Sequence, residues 1–348
     1  MSDNRNDSPQ RISRRDFLQS TSAASLVAGS AAGVAPNLLA RPVPDEAKNK
    51  AAFSGIFPAV VTPVDSEGNF LPEALECLLQ RLYAAGVHGM YVCGMTGEGP
   101  LQPATQRKQV AEVAVKNSPP GKTVIIHVGA YRPAEAFELA KHASRLPAHA
   151  VASLPPSGNY SFAEIRAYYQ ALAAVSDLPV LVYYFPDLYP ALNTIEQIQE
   201  LLAIRNVIGL KFTDHNLYRM SNLKQQGHVV FNGKDEVLVA GLLTGADGGI
   251  GSIYNLVPDL FLRVYELART QQWMQAREVQ RTINELIDII LRFPSIAAIK
   301  KLLTWSGINC GPSLAPRRSL TAVEEAELRS LLAKSSFAHA PFAGQEGK

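Results

Sequence analysis

From residue 53 onward, short apolar runs alternate with segments of helical period. The runs lie at 55–62, 90–93, 123–128, 150–154, 179–183, 207–211, 229–232 and 248–252. Their apolar residues are consecutive rather than alternating, as in a strand buried on both faces of a parallel sheet. Between them, 72–85 carries Leu75, Leu78, Leu79 and Leu82 on one helical face and stops at Gly86. Further helices are predicted over 103–116, 133–145, 162–175, 194–202, 217–225 and 235–243. Eight strands alternating with helices through short connections predict an α/β chain closed into a (β/α)₈ TIM barrel. A doubly wound open sheet is the alternative. From 258 to about 333 the pattern is helical, broken near Pro294 and across 307–316. The expected organisation is a barrel over 51–257, a C-terminal helical extension over 258–335 and a disordered tail over 336–348.

The first fifty residues stand apart from this pattern. Ser13-Arg14-Arg15-Asp16-Phe17-Leu18-Gln19 precedes a segment over 20–35 rich in Ala, Ser and Gly. Polar, Arg-Arg, apolar and small-residue zones in this order form a twin-arginine export signal, cleaved after Ala35 or Ala40. The segment is too weakly apolar for a stable membrane span. The expectation is export to the periplasm or another space outside the cytoplasm.

Composition narrows the function classes. Of 348 residues, 47% are hydrophobic and 18% charged, so a large core is possible. The net charge is +2, and the first fifty residues, with seven Lys/Arg against five Asp/Glu, account for all of it. The remainder is neutral without a basic run, which argues against nucleic acid as a partner. Cys77, Cys93 and Cys310 are far apart and form no CxxC, and the histidines form no HExxH. Neither a disulfide framework nor a metal site is suggested.

In a barrel the chemistry gathers at the carboxyl ends of the strands. The sixth run ends Gly209-Leu210-Lys211-Phe212-Thr213-Asp214. Desolvation of a lysine at that place favours its neutral amine, a nucleophile that forms a Schiff base with a carbonyl. After the second run, Gly94-Met95-Thr96-Gly97-Glu98-Gly99 can aim backbone N–H groups at an anion. The fifth run leads into Tyr183-Tyr184-Phe185-Pro186, the seventh into Gly233-Lys234-Asp235-Glu236, and the eighth into Gly251-Ser252-Ile253-Tyr254-Asn255. An amine, a phenol, an anion nest, a carboxylate pair and a serine on one face are equipment for reversible carbon–carbon cleavage beside a keto acid.

Over 55–307 the chain resembles the dihydrodipicolinate synthase and N-acetylneuraminate lyase family of pyruvate-dependent class I aldolases. Gly94-Met95-Thr96-Gly97-Glu98 is similar to the family's G-[ST]-T-G-E loop, Tyr183-Tyr184-Phe185-Pro186 to its Y-N-x-P, and Gly209 to Thr213 to its G-x-K-x-[ST]. The resemblance makes Lys211 the Schiff-base lysine and Tyr183 the acid/base tyrosine, with Met95 and Thr96 holding the keto-acid carboxylate. Gly233 to Glu236 resembles the lyase branch's G-x-D-E, and 248–255 its G-x-I-G-S-T-Y-N. This implies that Thr213, Gly233, Asp235, Glu236, Gly251 and Ser252 line a polyol site. Leu188 stands where the synthase branch carries an arginine for a second carboxylate. The implied enzyme is a homotetramer that needs no metal or organic cofactor. It cleaves N-acetylneuraminate or a related 2-keto-3-deoxy sugar acid to pyruvate and an aldehyde sugar. Two departures stand out. Met95 replaces a hydroxyl residue of the family's proton relay, and Pro155 to Tyr160 replaces a P-[FY]-Y-Y segment. Another pyruvate-dependent aldolase or hydratase is one alternative, and an exported keto-acid binding protein without turnover is another.

Overall fold

The structure is a computed structural model that describes residues 52–343. The export signal and the linker up to residue 50 lie outside the described residues. Eight strands follow in order: β1 (Gly55–Pro58), β2 (Gly89–Val92), β3 (Thr123–His127), β4 (Ala150–Ser153), β5 (Val180–Tyr184), β6 (Val207–Phe212), β7 (Val229–Asn232) and β8 (Gly248–Gly251). The helices that follow β1 to β7 are α1 (Pro72–Ala84), α2 (Ala104–Lys116), α3 (Pro133–Ala143), α4 (Phe162–Val175), α5 (Ile195–Leu202), α6 (Leu217–Gln225) and α7 (Leu238–Leu243).

Each strand pairs in parallel with its neighbour, and β1 pairs with β8. The last gap is bridged by Ala59 against Tyr91, where the Val60 N–H donates to the Tyr91 carbonyl at 2.9 Å. The barrel is therefore nearly closed, and the open doubly wound alternative falls. The consecutive apolar residues have two destinations. Val92, Val124, Val151, Val182 and Leu210 face the helices, whereas Phe57, Tyr91, Ile125, Leu181, Phe231 and Ile250 fill the barrel. Local signals agree with this layout. Ser161, Thr194 and Thr321 each close a capping box with Glu164, Gln197 and Glu324. Each such cap is worth about 1 kcal/mol.

The helical stretch after β8 divides differently from expectation. Pro258–Arg269 (α8) packs on β1 and α7 and buries Phe261, Val264 and Tyr265, so it is the eighth barrel helix. The boundary expected at 257 falls one helix early, because a helix that completes a barrel and one that extends it have the same apolar stripe. The extension comprises α9 (Trp273–Ile290), α10 (Ser295–Trp305) and α11 (Ala322–Ala333). Of the tail expected to be disordered over 336–348, the described residues 336–343 pack on the extension instead. Phe337 and Phe342 are buried against the extension, and the Ser336 N–H donates to Glu285 at 3.1 Å. Two phenylalanines supply the apolar area that a polar tail lacks. Among the described residues no helix is long and apolar enough to cross a membrane.

Candidate active site

Tyr183 and Lys211 are register partners on β5 and β6. Neighbouring strands lie about 4.8 Å apart and register partners project to the same face, so the two side chains meet inside the barrel. The Lys211 Nζ donates to the Tyr183 hydroxyl at 3.2 Å, and Lys211 is only 5% exposed. The amine lies 4.3 Å from the Tyr183 ring centroid and 5.0 Å from that of Tyr91. Tyr183 is fixed in turn by Phe185, stacked at 6.1 Å, and by edge contacts with Tyr91 and His127. Burial holds the His127 imidazole well below its usual range, so it is neutral. Its Nε2 accepts the Leu154 N–H at 3.1 Å, which leaves Nδ1 to donate to the Cys93 carbonyl.

The turn after β2 is closed by its own backbone hydrogen bonds. Glu98 adopts φ 54°, its N–H donates to the Met95 carbonyl, and the Gly99 N–H donates to the Gly94 carbonyl. The Thr96 hydroxyl lies 2.6 Å from that of Ser252, which ties the turn to the end of β8.

Asp235 and Glu236 follow β7 but differ in setting. Asp235 is buried, and its Oδ2 accepts the Ile253 N–H at 2.8 Å. Burial pushes its carboxyl up to about 7, against the pull of that N–H. Glu236 is half-exposed and meets the His215 Nε2 at 2.9 Å. Two glycines leave room for this arrangement. A Cβ on Gly251 would lie 2.0 Å from the Asp235 Oδ1, and one on Gly233 would lie 2.2 Å from the Thr213 Oγ1. That Thr213 hydroxyl is buried without a hydrogen-bond partner and lines the cavity, so it is available to a ligand hydroxyl.

Lys211, Tyr183, Met95, Thr96, Thr213, Gly233, Asp235, Glu236 and Ser252 all line one cavity of about 570 Å³. Gly251 stands behind it, against Asp235. Sequence reasoning missed another part of the lining, supplied by Ile287 and Ile290 of α9, Leu291 just after it, and Ile296 and Ile299 of α10. It also missed Ser313 and Arg317, which line the same cavity, while Lys234 lies there within the motif after β7. Extension residues carry no motif, and an apolar cavity wall has the same pattern as a helix core. Tyr160 does not reach this cavity, since it packs with Pro133, Phe137 and Pro156 in another hollow. The arrangement can do definite chemistry: a primary amine beside a phenol in one cavity can attack a carbonyl and exchange protons with the adduct.

The comparisons with known proteins fit this geometry. The dihydrodipicolinate synthetase family profile matches residues 52–335. An Escherichia coli protein named N-acetylneuraminate lyase 2 is 35% identical over 260 residues, covering 74% of this chain and 85% of that one. The wild-type sialic acid aldolase of Ruminococcus gnavus superposes with a TM-score of 0.77 at 30% identity, covering 80% of this chain and 96% of that one. A catalytic lysine mutant of the same aldolase superposes with the same TM-score at 29% identity, covering 80% and 94%. This chain belongs to the dihydrodipicolinate synthetase family.

Proposed function

We propose that this protein is a Schiff-base aldolase that cleaves N-acetylneuraminate, or a related 2-keto-3-deoxy sugar acid, to pyruvate and an aldehyde sugar. The observation that carries the reading is the Lys211 amine 3.2 Å from the Tyr183 hydroxyl at the carboxyl ends of β5 and β6. The relatives named N-acetylneuraminate lyase or sialic acid aldolase support the choice of substrate.

In this reading the Met95–Thr96 turn holds the carboxylate, and Lys211 adds to the keto carbon. Water leaves, and a protonated imine forms. Tyr183 removes the proton from the hydroxyl on the carbon to be released. That carbon becomes the aldehyde, and the electrons of the broken bond pass into the imine, giving an enamine. Protonation of the enamine and hydrolysis of the imine release pyruvate and restore the amine. Thr213, Asp235, Glu236 and Ser252 hold the hydroxyls of the sugar portion.

The test is pyruvate release from N-acetylneuraminate and a panel of 2-keto-3-deoxy acids. Release from none of them, with ligand binding retained, would leave a binding protein. A second reading, an aldolase or hydratase with a different acceptor, is favoured by the apolar wall of Ile287, Ile290, Leu291 and Ile296. It predicts turnover of acids with an aryl or alkyl acceptor in preference to polyols. Assembly as a homotetramer and twin-arginine export of the folded enzyme complete the proposal. The first is tested by sedimentation, the second by locating the mature chain.

A further inference from the structure

The C-terminal extension reaches the turn that the proposed function gives to the substrate carboxylate, and it does so from behind. The Glu98 carboxylate, fully buried, meets the Lys300 Nζ of α10 at 2.7 Å and accepts the Leu314 N–H at 2.9 Å. Lys300 in turn donates to the Pro312 carbonyl at 2.8 Å. These contacts fix loop 309–318 against the turn. From that loop the Arg317 Nη1 donates to the Met95 carbonyl at 3.2 Å, while the arginine also lines the cavity. Among the described residues Arg317 is in no ion pair, whereas Arg318 is held by Glu324 and Lys234 lies 3.6 Å from Asp187.

The Met95 carbonyl and the Thr96 N–H are opposite ends of one peptide unit. In a trans peptide they point in opposite directions. A guanidinium that donates to the carbonyl polarises the unit, strengthens the N–H as a donor and fixes the plane in which it points. Its unmatched charge at the cavity wall acts in the same sense on an anion bound at that N–H.

We propose that Arg317 is a positioning residue for carboxylate recognition: it acts through the Met95–Thr96 peptide, held in place by the Glu98–Lys300 pair. The proposal rests on the reading of this turn as the keto-acid carboxylate site.

The experiment traps imines at Lys211 with borohydride and quantifies them by mass spectrometry over a range of ketone concentrations. Pyruvate is compared with acetone, which forms the same bond without a carboxylate. For Arg317→Ala the half-saturating pyruvate concentration should rise about tenfold while acetone trapping stays unchanged, and Arg317→Lys should recover part of the difference. An unchanged pyruvate dependence overturns the proposal. An equal loss for both ketones also overturns it, because it shows a general disturbance of the site. Absence of any adduct in the unsubstituted protein overturns the aldolase reading and this proposal with it, and so is distinguishable from failure at Arg317 alone.

Discussion

Asp235 offers a direct test of the site's electrostatics, through Asp235→Asn. The substitution keeps the size of the side chain and an oxygen that can accept the Ile253 N–H, and removes the ionisation. In the fold the carboxyl titrates at about 7, raised from 3.8 chiefly by burial. The native state therefore binds the proton more tightly than the unfolded chain, and between about pH 4 and 7 unfolding releases it. Stability contributed by this group is present at low pH and is lost as pH rises through about 7. Above that the ionised carboxylate is a standing cost. One unit of pKa corresponds to about 1.4 kcal/mol. Between pH 5 and 7 the stability of the wild type relative to the Asn variant should accordingly fall by roughly 2–3 kcal/mol. His88, His127, His149 and His228 are shifted down, mainly by burial, and give the opposite slope up to about 6.5. The difference between the two proteins cancels them. The assay is urea denaturation of both at half-unit steps from pH 5 to 8. Parallel curves would refute the reasoning, since they would mean that the carboxyl titrates equally in the folded and unfolded chains.

Borohydride reduction with pyruvate should place a three-carbon adduct on Lys211, and an adduct on Lys234 instead would move the nucleophile. Tyr183→Phe should still permit that trapping while turnover falls by about 10²–10⁴-fold, the usual worth of acid–base help; retained turnover would exclude the tyrosine as the base. Met95→Thr should raise kcat by restoring a hydroxyl beside Tyr183, and a lower kcat would show that the thioether packs a group of the natural substrate. Changing Arg14 and Arg15 to Lys should leave the precursor inside the cytoplasm, and a mature chain found outside would end the twin-arginine reading.

The parts of the site that were legible in the sequence are those whose chemistry and whose backbone placement coincide. Lys211 and Tyr183 terminate apolar strands, so one pattern reveals both their burial and their meeting at the barrel mouth. Gly233 and Gly251 sit where a Cβ would strike Thr213 and Asp235, and such glycines are written into the motif itself. Lys300 and Arg317 follow no such rule. Lys300 sits in an amphipathic helix, where a lysine ordinarily faces water. Its partner Glu98 lies in a turn some two hundred positions earlier. Only the fold brings them to 2.7 Å. The eighth barrel helix was obscured for a related reason, since periodicity reports which face is buried and never what it is buried against.

Met95 marks where the family pattern and this chain part. It lines both the candidate active-site cavity and a second hollow of about 400 Å³ bounded by Leu101, His127, Tyr131, Leu188 and Tyr189. A thioether carries no exchangeable proton, and the Ser157 hydroxyl is paired with that of Tyr189 at 3.3 Å. Among the described residues, Lys211 is the hydrogen-bond partner found for the Tyr183 hydroxyl. In the proposed mechanism, once Lys211 is held in an imine, the tyrosine must exchange its proton with bound water or with the substrate itself. Imine formation is then unimpaired, while the proton transfers after it depend on what the substrate presents. Selectivity among keto acids would be expressed in kcat more than in capture of the keto group. The apolar wall from α9 and α10 would choose the acceptor, and the barrel would supply a bond-breaking chemistry common to all of them.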